Sequence, residues 1–124
     1  MRTLLILGAI TLLAACTTTP QKMRTTSPVL EINSTLTAEQ VSMCIATGWE
    51  NIDYILYSPI VTDRRTPSGH EVAQHLDGSL TYLADIKRTQ SGVAVTIYSA
   101  AIEFDNDPAF ITVKQCAQSE KAAE

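Results

Sequence analysis

Residues 71–98 read Glu71-Val72-Ala73-Gln74-His75-Leu76-Asp77-Gly78-Ser79-Leu80-Thr81-Tyr82-Leu83-Ala84-Asp85-Ile86-Lys87-Arg88-Thr89-Gln90-Ser91-Gly92-Val93-Ala94-Val95-Thr96-Ile97-Tyr98. Asp77-Gly78 is a strong signal for a two-residue hairpin, whose central residues need positive φ. Leu80, Tyr82, Ala84 and Ile86 then alternate with Thr81, Leu83, Asp85 and Lys87, the period of two that marks a strand. Thr89-Gln90-Ser91-Gly92 supplies a second turn, after which Val93, Val95 and Ile97 take one face and Ala94, Thr96 and Tyr98 the other. Two tight turns at this spacing dictate an antiparallel meander. Its expected strands are residues 55–60, 71–76, 80–87 and 93–102. Pro59 confines the first of them to an edge or to a short run. The polar stretch from Thr62 to Gly69, with Arg64, Arg65 and Pro67, reads as the loop that follows it.

Helical signals flank the strands. Thr37-Ala38-Glu39-Gln40 has the form of a capping box, in which Thr37 and Gln40 each satisfy an orphan amide of a helix start. A helix from there to about Asn51 places Val41, Cys44, Ile45, Gly48 and Trp49 on one face. Gly48 costs such a helix up to about 1 kcal/mol relative to Ala, which a close approach to a strand would explain. At the other end Asp107-Pro108 is a cap followed by Pro at the first helical position. The helix it opens carries Ala109, Phe110, Val113 and Cys116 on one face. The order helix, four strands, helix indicates an α+β fold, with both helices on one face of a four-stranded antiparallel meander sheet.

The chain has 124 residues, which allows one domain, and its 45% hydrophobic and 18% charged residues place it among globular rather than disordered chains. Its formal net charge is −4, and no run of Lys and Arg offers a nucleic-acid footprint. Nucleic acid is therefore excluded as an expected partner.

The front of the chain has a different composition. Met1-Arg2-Thr3 supplies a positive start, and residues 4–13 form an apolar run too short to span a bilayer, for which about 20 residues are needed. The run ends in Leu13-Ala14-Ala15-Cys16. This stretch resembles the lipobox of bacterial lipoproteins. The resemblance covers the first 16 residues and implies a cleaved signal peptide over 1–15, a lipidated Cys16 at the mature N-terminus and a membrane held through that anchor. In that family an Asp after the Cys tends to retain the protein at the inner membrane. Thr17 at that place implies the outer membrane, with the periplasmic face as the expected side. Residues 16–36, rich in Thr, Ser and Pro, read as a flexible tether, in which Val29-Leu30-Glu31-Ile32 alternates and is a candidate extra strand. The domain is expected over 37–118, with a frayed tail over 119–124.

Assigning Cys16 to lipid leaves Cys44 and Cys116. Export implies an oxidising compartment, so this pair is expected to form one disulfide joining the two helices. Two free buried thiols are the alternative.

Little in the sequence points to chemistry. No catalytic residues, cofactor or metal site is expected. His70 and His75, five apart on a strand, face opposite sides and have no ligand set around them. No nucleophile elbow, phosphate-binding loop or dinucleotide fingerprint occurs. Trp49, on the Cys44 face, reads as core. The expected interaction surface draws on Tyr82, Leu83 and Tyr98 together with Arg64 and Arg65, and its expected place is the sheet face turned away from the helices, where Leu83, Tyr98 and Ile102 are expected to lie. The expected function is a non-enzymatic binding or structural module of the envelope with a protein partner. A small envelope hydrolase or ligand-binding protein is the alternative, and a pocket that sets a His beside a carboxylate would favour it.

Overall fold

The computed structural model describes residues 18–100 and 107–118. The expected signal peptide, Cys16, the end of the last expected strand and the tail from residue 119 lie outside the described residues. Five strands form one antiparallel sheet: β1 (Leu30–Ser34), β2 (Ile60–Thr66), β3 (Gly69–Leu76), β4 (Ser79–Thr89) and β5 (Gly92–Ser99), in spatial order β1-β5-β4-β3-β2. Three helices accompany them among the described residues: α1 (Pro20–Met23), α2 (Ala38–Glu50) and α3 (Pro108–Gln118). The fold is α+β. The expected meander is its core, and Asp77 and Gly78 take the positive φ values, 50° and 79°, that the hairpin turn requires.

Three expectations are corrected. The sheet has five strands, not four, because Leu30–Ser34 pairs with β5 and sets Leu30 opposite Ile97 and Ile32 opposite Val95. This alternation lets Leu30 and Ile32 extend the buried face while Glu31 and Asn33 stay exposed. The meander's first strand is Ile60–Thr66 rather than residues 55–60, so most of the expected 62–69 loop is strand. It is an edge strand, and charged Asp63, Arg64 and Arg65 suit an edge that must not recruit further strands. Such a strand carries no apolar alternation to betray it. Finally, residues 18–36 are not a free tether. Thr19 caps α1 by accepting from the Lys22 amide at 3.2 Å, with Pro20 at the first helical position.

Helices α2 and α3 pack on one face of the sheet. Val41, Ile45 and Trp49 of α2 and Ala109, Phe110 and Val113 of α3 close over Val72, Ala84, Ile86, Val95 and Ile97. The expected capping box of α2 is complete, with Thr37 and Gln40 bonded reciprocally. Cys44 and Cys116 are joined, with Cα atoms 5.7 Å apart, across 72 residues of chain. The Trp49 indole donates to the Ala109 carbonyl at 3.1 Å, so its one polar atom is satisfied inside the core.

Gly48 marks the close approach of α2 to α3, a helix and not a strand. A Cβ at Gly48 would sit 2.3 Å from the Thr112 methyl. Gly48→Ala is therefore expected to destabilise the fold despite its better helix propensity. Thr112→Ser removes that methyl, so Gly48→Ala in the Thr112→Ser background is expected to be neutral or to stabilise by up to about 1 kcal/mol. A double-mutant cycle by urea denaturation checks the reversal of sign.

Candidate functional site

The second sheet face, away from α2 and α3, is partly covered by α1. Met23, 1% exposed, packs on Ala73, Leu80 and Leu83, with Tyr98 alongside. Burying one such side chain contributes about 1.5–3 kcal/mol, enough to hold a single helical turn in place.

Beside this apolar patch runs a charged row. Strand register sets Arg64 opposite Glu71, Glu71 opposite Asp85 and Asp85 opposite Thr96. Two carboxylates directly opposite one another destabilise a sheet. Arg24, the residue after α1, resolves the conflict. Its Nε and one terminal nitrogen each donate to Asp85 at 2.7 Å, and the same terminal nitrogen donates to Glu71. Arg64 reaches Glu71 from the other side at 3.1 Å. Burial alone would push the Glu71 carboxyl up, but Arg24 and Arg64 outweigh it and hold it below the usual carboxylate range. The Arg24 guanidinium is pushed above its ordinary pKa, chiefly by its hydrogen bond to Asp85.

A cleft of about 410 Å³ opens over this row. Arg24, Arg64 and Lys87 bring positive charge to it, Thr66, Ser68 and Thr96 bring hydroxyls, and Tyr98 brings a ring. Among the described residues Lys87 has no ion-pair partner, and it is exposed. Asp85 also lines the cleft and is paired with Arg24, so Lys87 is the cation among these that no described carboxylate pairs.

His70 borders the cleft, but its ring lies toward α2. Nδ1 is 2.8 Å from Asp63 and Nε2 is 3.6 Å from Glu39, with the side chain 8% exposed. Nδ1 is hydrogen-bonded to Asp63, whereas Nε2 is buried without a hydrogen-bond partner among the described residues, so no described hydroxyl stands where the ring could activate it. Among the described residues no group of three or more His, Cys, Asp and Glu is arranged to hold a metal ion.

Of the residues expected to form an interaction surface, the cleft gathers Arg64 and Tyr98. Arg65 stands opposite His70 on the edge strand, outside the cleft. Tyr82 and Leu83 are corrected to core positions. Tyr82 is 4% exposed, with its ring centroid 5.9 Å from Trp49 and 5.5 Å from Phe110, and its hydroxyl donates to Asp107. Leu83 is fully covered in the cluster with Met23. The expectation failed at Leu83 because α1 was taken for tether, and at Tyr82 because its face of β4 is the one that α2 and α3 cover. Arg24, Glu71, Asp85 and Lys87 were not singled out from the sequence. The outward register of Asp85 and Lys87 was the available sign.

The chain matches no protein-family model, no curated protein and no solved structure. Function therefore rests on the residues themselves. No described helix is long and apolar enough to cross a membrane.

Proposed function

We propose that this protein is a lipid-anchored lipoprotein of the bacterial cell envelope that works by binding a partner protein, not by catalysis. The anchor is Cys16, on the strength of Leu13-Ala14-Ala15-Cys16 and the segment before it. Several acyl chains make such attachment durable, at about 0.8 kcal/mol per buried CH₂. The outer membrane, periplasmic side, is the proposed address.

The observation that carries the binding reading is the cleft over the Arg64–Glu71–Asp85 row. Its inner charges are matched, which gives it a fixed shape. Its rim leaves Lys87 and an Arg64 side chain that is 64% exposed. Fixed hydroxyls behind two cations suit a carboxylate-bearing segment of a partner protein, by charge complementarity and hydrogen bonding. His70 beside Asp63, with Nε2 unpartnered among the described residues, is the feature that favours a hydrolase, but it would require a nucleophile to approach the buried Nε2 from the helix side.

One experiment on intact cells tests both parts. Full-length protein carrying a photo-crosslinking side chain at Thr66 is expressed with labelled palmitate. Palmitate label is expected to disappear in Cys16→Ala. A discrete crosslinked product is expected to be lost in Lys87→Glu and retained in Arg65→Glu, which reverses an equal charge outside the cleft. Unchanged label overturns the anchor, and a product indifferent to Lys87→Glu overturns the cleft.

A further inference from the structure

The segment between α2 and β2 exposes more apolar surface than any turn needs. Ile55 is 98% exposed, Leu56 80%, Tyr57 48% and, at the start of β2, Ile60 64%. Turn tips normally carry Gly, Asn, Asp, Ser or Pro, and contiguous exposed apolar groups mark contact sites. Yet the turn is held in shape. The Tyr57 amide donates to the Tyr54 carbonyl at 3.3 Å, and the Tyr54 hydroxyl donates to the buried Gln74 carbonyl oxygen at 3.3 Å. Tyr54, half-buried, thus roots the turn in the domain and leaves Ile55 and Leu56 at its tip.

The position of this turn says what it meets. Ile60 lies opposite His75, and His75 lies opposite Leu80. Leu80 is part of the patch that Met23 covers, whereas Arg24 reaches the next row along, at Glu71 and Asp85. Pro20 is within one helical turn of Met23, so the start of α1 lies close to the half of the sheet that bears the apolar turn. Three residues separate Cys16 from Pro20 at the start of α1, a span of at most about 14 Å. A lipid on Cys16 would bring that end of the domain against the bilayer.

From this juxtaposition we infer that the turn at Tyr54, Ile55, Leu56 and Tyr57 is a second membrane contact. It inserts Ile55 and Leu56 below the headgroups, with Tyr57 at the interface where such rings settle. The inference rests on the lipid-anchor reading. The surface it fits is zwitterionic, because Asp53 and Asp77 share this end of the domain and disfavour an anionic one. Acyl chains alone keep the protein on the membrane, so the turn acts on orientation. Two separated contacts stop the domain from swivelling about Cys16 and fix the direction in which the Arg64–Lys87 rim faces.

The test uses the full lipidated chain, reconstituted in phosphatidylcholine vesicles whose acyl chains carry bromine, a short-range quencher of tryptophan. Flotation reads the anchor and quenching reads the turn. Leu56→Trp is expected to lose most of its added emission, over the background of buried Trp49. Met43→Trp, on an exposed position of α2 (68%), is expected to keep its emission. Protein that floats while Leu56→Trp stays bright overturns the turn contact and leaves the anchor standing. Equal quenching at both positions also overturns it, because the domain then lies on the surface without a preferred side. Protein that does not float overturns the anchor, and the inference with it.

Discussion

Removing the cross-link between Cys44 and Cys116 is expected to lower the free energy of unfolding by about 4 kcal/mol, the chain-entropy value for a loop of this size. The two cysteines lie 72 positions apart, and the strands β2 to β5 lie between them. Without the bond the unfolded chain regains the freedom of that loop. The loss weighs heavily because a domain this small has only about 5–15 kcal/mol of net stability to lose. Reduction with both side chains in place isolates the cross-link. Cys44→Ala with Cys116→Ala adds a packing cost, since Cys116 is 2% exposed within the core. The order of stability is thus oxidised protein, then reduced protein, then the double variant, read from urea midpoints. Thiol counting on the denatured, unreduced domain should find neither cysteine free. A midpoint that reduction leaves in place would show that α2 and α3 hold together by packing alone.

The bond shows which features of this fold are local in origin. Thr37 with Gln40, Asp107 before Pro108 and the Asp77-Gly78 turn are set by side chains within a few residues of one another, and each appears in the structure where the sequence places it. What failed depends on distant partners. Residues 30–34 are a strand only because β5 offers an edge to them, and residues 60–66 only because β3 does. The candidate site was the least legible part, for a specific reason. From the two-residue turn, His75 pairs with Leu80, and an uninterrupted ladder would continue with Gln74 opposite Thr81. A bulge instead pairs Gln74 with Tyr82, and so brings Glu71 opposite Asp85. That one-residue shift creates the carboxylate pair, and no local pattern in the sequence announces it. Arg24, 47 residues before Glu71, then had to be read as a structural partner when its surroundings resembled a linker.

Arg24→Ala should expose how much the site depends on that partner. Arg24 follows α1, which among the described residues covers the second sheet face, and it bridges Glu71 and Asp85. Its removal leaves two carboxylates opposed across the strands, one of them 7% exposed. Hydrogen bonds to charged groups contribute about 1.5–3 kcal/mol each, and a loss in that range is expected at neutral pH. The pH dependence has a definite sign. Glu71 titrates below its ordinary range in the folded protein, so its pairing contributes stability above the unfolded value, near pH 4, and that contribution is lost as the pH falls through the folded value. Without Arg24, only Arg64 is left to oppose burial at Glu71, so the lowering is weaker and the variant loses less on acidification. The gap between wild type and Arg24→Ala is therefore widest at neutral pH and narrows below about pH 4. Urea denaturation across that range measures it. Hydrogen exchange adds the structural side: the Met23 and Arg24 amides, bonded to the Thr19 and Pro20 carbonyls, should lose protection in the variant well before the β3–β4 ladder does. If they stay protected, Met23 alone holds α1 down, and the charged row serves the cleft without fastening the segment that leads to Cys16.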